Sequence, residues 1–494
     1  MTDPNPGAGE RRTAAIVMAA GLGTRMKSST PKVLHRICGR PIVEWVIDAA
    51  VGATGARPLV VYSPATDAVR LAVAGLAEPI LQDAPLGTGD AVRSAIAAVP
   101  DDADDVLVLN GDVPLMRAEL LSALLEARRL DQAAVALVAV DAIDPARLGR
   151  VVRGDAGTVE RIVEAKDATE DELRISEINA GLYAFEAAWL RRRIGDLRPS
   201  PATGELYLTE LVELARADGR LVAALDVEDD GRLLGINDRA ELAHAEWDMR
   251  VEINDRWMRA GVTMQDPSTA YVDHGVELAE DVTLEANVIL RGATKVGRGT
   301  LIGAGSQIVD STIGEGCVVW ASIVERATIE DAATVGPMSH LRPGAHVGRR
   351  SEIGNFAEIK NSRLGEHVRQ HHMSYLGDAE LGAGTNVGAG TITANYDGVR
   401  KHRTTIGERV FLGVDTMLRA PVTLGDGAKT GAGAVVTRDV PAGMLAVGVP
   451  ARIREVRATE PTPAEPANAA DTRAADPGTA GAASPAAKPE GAAG

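Results

Sequence analysis

The sequence predicts two unlike architectures in series: a doubly wound α/β layer and, beyond a helical arm, a left-handed parallel β-helix. Three observations carry this. Between about residues 13 and 240, short aliphatic runs alternate with longer amphipathic stretches, the pattern of strands joined by helices in a largely parallel sheet. From about 265 to 455 the period changes. Ile329, Val335, Leu341, Val347 and Ile353 are spaced by six residues each, as are Val276, Val282 and Val288, and again Val296, Ile302 and Ile308. Finally, only 3% of the 494 residues are aromatic, against 52 glycines, which suits a narrow core filled by Val, Ile and Leu.

In the first half, "AAIVMAA", "RPLVVYS", "DDVLVLNGD" and "AAVALVAV" read as strands, apolar enough to be buried on both faces. "IVEWVIDAAV", "TGDAVRSAIAAV" and "RAELLSALLEARR" read as helices between them. The segment Asp238 to Arg259, "DRAELAHAEWDMRVEINDRWMR", is charged, with apolar residues at helical spacing, and is expected to be a long exposed arm. In the second half each hexad makes one flat face, an aliphatic points inward, and three hexads close a coil that stacks on the next. The tail from about Thr459 is rich in Ala, Pro and Gly and cannot bury enough area to order itself. The expected divisions are a flexible N-terminus at 1–12, an α/β domain at 13–237, a helical linker at 238–262, a β-helix at 263–456 and a disordered tail at 457–494.

Bulk properties exclude some classes. A net charge of −17 disfavours nucleic acid and anionic membranes as partners. There is no apolar run long enough for a membrane span, and "MTDPNPGAGERR" has no apolar h-region. The two cysteines, Cys38 and Cys317, form no framework and fit a reducing cytoplasm.

The first chemical signal is "IVMAAGLGTRMKSSTPKVLH", residues 16–35. Gly21 and Gly23, after the apolar run that includes Ala19 and Ala20, remove side chains where backbone N–H groups could approach a phosphate. Arg25 and Lys32 would neutralise a triphosphate; Lys27 reads as solvated. "GLG" alone is more often a plain turn, and the spacing is neither a Walker A loop nor a dinucleotide fingerprint. Asp112 in "LVLNGDVPL", with Asn110 and Gly111 before it, stands just past a buried strand, where a carboxylate is well placed for Mg²⁺. The full string G-x-G-T-R-M-x(4)-P-K resembles the signature of sugar-1-phosphate nucleotidyltransferases, implying a Rossmann-like domain of that kind. By that resemblance, Gln82, Gly87 and Thr88 in "LQDAPLGTGDAV" contact the uracil of UTP. Asn237 in "GINDRAEL" joins Asp112 as the second Mg²⁺ ligand, and Gly149, Glu164 and Asn179 bind the sugar. Lys166 is as well read as solvated.

In the second half, "RQHHMSYLGDAELGAGTNVGAGTITANYDG" decorates the hexads. His371 and His372 are adjacent, and on a strand they would point to opposite sides, so at most one could act as a base. The string H-x-S-Y-L-G-D resembles the acetyltransferase domain of the family of bifunctional bacterial N-acetylglucosamine-1-phosphate uridylyltransferases / glucosamine-1-phosphate N-acetyltransferases. The composition is similar to actinobacterial members, and the resemblance covers roughly residues 13 to 455. It implies that His372 is the general base; an imidazole titrates near neutrality, as such a base should. It implies that Arg342 and Lys360 hold the sugar phosphate and that Tyr375 and Asn386 hold the sugar. Ala389, Asn395, Tyr396, Val414 and Ala432 match positions at the acetyl-CoA and amino-sugar site. "NYDG" leaves the solenoid as a loop that in this family reaches toward a neighbouring subunit, and a homotrimer is expected. The implied role is two consecutive steps of UDP-N-acetylglucosamine synthesis, supplying peptidoglycan and other cell-envelope precursors. Three places depart from the family pattern. Val414 stands where a serine is common, no basic residue follows the last coil near Val449, and "SPATGELYLT" lacks an amide-rich run. The competing readings are a single-activity nucleotidyltransferase whose β-helix only assembles subunits, and a non-enzymatic scaffold of the same layout. The first is disfavoured by the Arg342, Lys360, His372 and Tyr375 set, the second by the Arg25, Lys32, Asp112 and Asn237 set.

Overall fold

The computed structural model describes residues 11–145, 148–155, 157–201 and 203–455. The expected disordered tail, and the expected flexible N-terminus apart from residues 11 and 12, lie outside these residues.

The aliphatic runs form the strands they suggest. The first half contains β1 (Thr13–Met18), β2 (Arg36–Ile37), β3 (Arg40–Pro41), β4 (Leu59–Tyr62), β5 (Glu78–Leu81), β6 (Asp105–Asn110), β7 (Val135–Asp141), β8 (Arg150–Arg153), β9 (Val159–Val163), β10 (Glu177–Glu186) and β11 (Val222–Glu228). The main sheet runs β11-β7-β10-β6-β1-β4-β5. β1 is parallel to both β4 and β6, and β11 is parallel to β7. β10 is antiparallel to β6 and β7 and carries the β8–β9 hairpin beside it, so the sheet is mixed where a largely parallel one was expected. Helices Ile42–Thr54, Thr88–Ala95 and Ala118–Leu130 cover it. Ile16, Val17 and Val106 to Leu109 are fully buried between the layers, as the doubly apolar runs require.

Asp238 caps the connecting helix Arg239–Arg259, its side chain accepting from the backbone N–H of Ala240 and Glu241, a standard way to satisfy the free N–H groups of a first turn. At 1.5 Å per residue this helix is about 30 Å long. The expected exposed arm is correct only for its outer side, where Trp247 and Val251 face solvent. Ala245, Met249 and Ile253, four residues apart, bury one stripe into the same core as the hairpin β2–β3 and the first coil. Arg250 lies over the Tyr271 ring at 4.2 Å, and Asn254 Nδ2 donates to the carbonyls of Pro267 and Ala270.

The hexads build a triangular parallel β-helix. Among the described residues, three faces of twelve, ten and nine short strands begin at Thr263–Met264, Tyr271–Val272 and Glu277–Leu278 respectively, the last strand of the first face, Arg452–Glu455, pairing antiparallel. Strands stack in register, Tyr271 over Ile289 and Glu277 over Lys295. Most strands bury an aliphatic and turn its neighbour outward, with Gln370, Thr393 and Thr430 taking the inward place in three of them; Ile329, Val335, Leu341, Val347 and Ile353 are all buried. Such a side chain contributes about 1.5–3 kcal/mol on burial, too little for one coil to stand without its neighbours. The larger aromatics Trp320, Phe356, Tyr396 and Phe411 lie outside the prism and are exposed, as its narrow bore dictates.

Candidate functional site

Two separate clusters gather the residues singled out by the sequence. The first is an open cleft of about 540 Å³ at the carboxyl ends of β1, β5 and β6, where open α/β sheets offer a crevice. Ala19, Ala20, Gly21 and Gly23 line one side, with Lys32, Gln82, Gly87, Thr88, Asn110, Asp112 and Glu164 around the rest.

The glycines serve different ends. A Cβ on Gly21 would meet nothing within 4 Å, so this stretch of backbone is open to the cleft. Gly23 has φ +58 and a Cβ there would strike the Lys32 side chain at 2.5 Å; it is required by the turn and by the seating of Lys32. Gly87 has φ +115, with the Leu206 carbonyl 2.6 Å from where its Cβ would stand, and Gly111 packs against the carbonyl of Met18. Thr88 Oγ1 accepts from the backbone N–H of Leu208, which ties the turn after β5 to the segment 205–208.

Lys32 reaches Asp112 through a salt bridge, and its Nζ donates to Asn237 Oδ1 at 3.2 Å. Arg25 Nη2 donates to the same Asn237 oxygen at 2.7 Å. Asn237 is held just ahead of the connecting helix, its Nδ2 donating to the carbonyl of Gly235. Arg239, the first residue of that helix, reaches back to the Met26 carbonyl and the His35 ring. Two cations from the loop after β1 and two oxygen ligands from distant segments therefore meet at one point. No cluster of three or more His, Cys, Asp or Glu exists among the described residues. The donor set fits a hard cation that takes two protein oxygens and completes its shell with phosphate and water, as Mg²⁺ does. Lys27 is exposed with φ +48, and Lys166 is also exposed.

The residues expected to bind the sugar stand around Glu164. Burial raises the Glu164 carboxyl above its ordinary value, while a hydrogen bond from Thr209 pulls the other way. Gly149 lies beside it, with Glu164 Oε1 3.6 Å from where a Cβ would be, and the Gly149 carbonyl accepts from Asn179 N. The Asn179 side chain donates to Tyr183 Oη and accepts from Gly181 N. Asn179 and Gly149 therefore back Glu164 and are not among the residues lining the cleft. Glu205 and Tyr207 do line it and escaped the sequence reading; the only signal was their place in "GELYLT".

The second cluster lies on the β-helix. The two histidines are on a corner, between strands Arg369–Gln370 and Ser374–Gly377, not on a strand, so the opposite-sides argument does not apply. Both are exposed. His371 Nε2 pairs with Glu352 Oε2 at 2.6 Å, while His372, among the described residues, has no hydrogen bond at its ring. Successive coils place Ala389, Val414 and Ala432 on the same edge, between the first and second faces: Asp415 N donates to the Ala389 carbonyl and Gly433 N to the Val414 carbonyl. Val414 and Val449 are both well exposed.

The opposite edge of the second face carries Arg342, Lys360 and Asn395. Arg342 pairs with Glu358 Oε1 at 2.7 Å, and Glu358 stacks on Tyr375. Asn395 Nδ2 donates to Asp378. The "NYDG" loop turns back at this edge: Asp397 accepts from the backbone N–H of Val399 and Arg400, and Tyr396 bridges to Lys401. Contact with Lys401, then the charge of Lys401 and Arg342, lowers the Lys360 amine below its ordinary value. Lys401 was not found in the sequence, because only the return of the loop brings it to Lys360. Asn386 is on the first face, between Arg369 and Phe411, away from Tyr375. One copy thus holds a cationic edge and a histidine edge on either side of one face, with Asn386 around the corner.

Comparisons with known proteins agree with both halves. Residues 15–172 match the MobA-like NTP transferase domain family and residues 403–438 match the bacterial transferase hexapeptide (six repeats) family. A curated protein of Rubrobacter xylanophilus, named Bifunctional protein GlmU, is 45% identical over 441 residues, covering 89% of this chain and 93% of its own length. Proteins of the same name from Kineococcus radiotolerans and Nocardia farcinica are 44% and 42% identical, over 88% of this chain and 89% and 90% of their own.

Proposed function

The chain belongs to the bifunctional GlmU family, and from that premise we infer that its two clusters are the two active sites of one enzyme, a nucleotidyltransferase and an acyltransferase. The β-helix acetylates glucosamine 1-phosphate from acetyl-CoA, and the α/β half transfers uridylyl from UTP to the N-acetylglucosamine 1-phosphate so made. The observation that carries this is the convergence of Arg25, Lys32, Asp112 and Asn237 at one cleft in a chain that also carries the exposed His372 edge.

In the cleft, a phosphate oxygen of the sugar attacks the α-phosphorus of UTP. The new P–O bond forms as the bond to the β-phosphate breaks and pyrophosphate leaves. The nucleophile is already ionised at pH 7, so no side chain need act as base. Arg25 and Lys32 hold and neutralise the phosphates, the open backbone at Gly21 admits them, and Glu164 orients the sugar. Asp112 and Asn237 would hold Mg²⁺, which when bound neutralises charge developing on the phosphates.

On the β-helix, Arg342, Lys360 and Lys401 supply a cationic seat for the sugar phosphate. His372 takes the proton from the amine as nitrogen attacks the thioester carbonyl. The C–N bond forms, the C–S bond breaks, and coenzyme A leaves as a thiolate that takes up the proton held by His372. The coenzyme lies along the edge marked by Ala389, Val414 and Ala432.

That edge also argues for assembly. Trp320, Met338, Phe356 and Met373 follow one another along it, 47%, 59%, 64% and 65% exposed. A continuous apolar stripe of this kind marks an interface, and a threefold arrangement would bring the histidine edge of one copy to the cationic edge of the next. We expect light scattering to give three times 51.6 kDa. The double variant Phe356→Glu/Met373→Glu should fall to monomers, losing acetyl transfer while keeping uridylyl transfer. A monomeric native chain, or a variant that remains trimeric, would overturn the assembly. No helix among the described residues is long and apolar enough to cross a membrane. Both cysteines are buried free thiols, which fits a reducing compartment such as the cytoplasm. The function itself is tested by supplying glucosamine 1-phosphate, acetyl-CoA and UTP together. Coenzyme A release, then pyrophosphate and UDP-N-acetylglucosamine, is expected; no nucleotide sugar would refute it.

A further inference from the structure

Gln82 lies just past the end of β5, 2% exposed, on the lining of the cleft. Its amide nitrogen carries two hydrogens, and both are committed. Nε2 donates to Asp90 Oδ2 at 2.7 Å and to the Gly87 carbonyl at 3.3 Å. Asp90 is itself buried, on the first turn of helix Thr88–Ala95, and its other oxygen pairs with Arg93 one turn on. A paired carboxylate and a peptide carbonyl can only accept. If the Gln82 amide were turned over, its oxygen would face two acceptors and every hydrogen bond there would be lost. One orientation remains, and in it Oε1 is the amide atom that, among the described residues, no protein donor reaches.

We propose that Asp90 is the positioning residue that sets base specificity: by fixing the Gln82 amide, it presents the base with an acceptor and selects a pyrimidine nucleotide whose facing edge carries a ring N–H. This rests on the reading of the cleft as the nucleotide site with Gln82 at the base. Uracil offers N3–H to such an acceptor. Cytosine offers a bare ring nitrogen at the same place, so two lone pairs would oppose each other in a buried setting. Discrimination by an unpaired polar atom is far steeper than discrimination by size. The role belongs to the carboxylate in particular. The Gly87 contact is neutral and long, whereas the Asp90 bond is charge-assisted and short. An amide at position 90 could donate as well as accept, and would tolerate Gln82 in either orientation.

The test compares kcat/KM for UTP and CTP in the full chain and in Asp90→Asn, which keeps shape and volume. The UTP-to-CTP ratio should fall by about 10-fold to 100-fold, the worth of one charge-assisted hydrogen bond, while acetyl transfer by the same preparation is unchanged. Equal losses with UTP and CTP would overturn the proposal, because a merely structural residue would lower both alike. Gln82→Leu separates the two layers. If it leaves the ratio at the native value, Gln82 does not read the base and the underlying placement falls. If it collapses the ratio while Asp90→Asn does not, only the role of Asp90 falls. Should Asp90→Asn lose acetyl transfer or thermal stability, Asp90→Ser offers the same donor-or-acceptor ambiguity in a smaller side chain and is judged by the same ratio.

Discussion

Replacing His372 by alanine is expected to lower acetyl transfer to glucosamine 1-phosphate by about 10²-fold to 10⁴-fold, the range contributed by a positioned general base. Uridylyl transfer by the same chain should stay near the native rate. The separation is predicted by geometry. His372 is exposed on a corner of the β-helix, so its truncation leaves no cavity in the prism, and no β-helix residue lines the nucleotide cleft. His371 is the internal control. Its ring is already bonded to Glu352, and His371→Ala should cost acetyl transfer far less. Equal loss of both activities in His372→Ala would indicate damage to the fold and remove the assignment. A larger loss in His371→Ala would transfer the role to the His371–Glu352 pair.

The second large effect concerns Asp112. Asp112→Ala should reduce uridylyl transfer by about 10³-fold or more, several kcal/mol of charge stabilisation at tenfold per 1.4 kcal/mol, and spare acetyl transfer. Asp112 follows β6 at the turn through Gly111, and its carboxylate is mostly buried against Lys32. Removal leaves the Lys32 ammonium with the Asn237 oxygen alone and halves the oxygen set that would hold Mg²⁺. Asp112→Asn is the sharper variant: it keeps the shape and one oxygen but withdraws the charge, so it should lie close to alanine in rate. Mg²⁺-dependent transfer that persists undiminished in either variant would exclude Asp112 as a ligand.

The periodic parts of the fold are legible because each strand of a β-helix and each buried parallel strand is specified by its own few residues. Val335 is buried for reasons visible within its own hexad. The antiparallel β10 was not legible, since strand direction depends on the path of the preceding β8–β9 hairpin and not on the residues of β10. The burial of one side of the connecting helix was hidden likewise. Ala245, Met249 and Ile253 form a short apolar stripe among charges, and only the neighbouring hairpin and first coil give it something to cover. Among candidate site residues, Gly21, Lys32, Asp112 and Asn237 were marked by motif and do converge. Lys401, Glu205, Tyr207 and Asp90 were not. Asp90 in "TGDAV" reads as an acidic residue favoured in the first turn of any helix, and its bond to Gln82 exists only after β5 and that helix fold together. The pairing of Asn386 with Tyr375 in one sugar site is not made within a single copy, in which they occupy different faces.

The account holds that one chain carries two sites that act separately and in order. Mixing the two inactivated chains tests this most directly. Asp112→Ala alone should convert glucosamine 1-phosphate essentially only to its N-acetyl form, and His372→Ala alone should form that product about 10²-fold to 10⁴-fold more slowly than the native chain. Together, with acetyl-CoA and UTP, they should restore UDP-N-acetylglucosamine formation, one chain supplying the intermediate to the other. If each variant keeps its one remaining activity and the mixture still makes no nucleotide sugar, the two sites are not independent consecutive catalysts and the account is wrong.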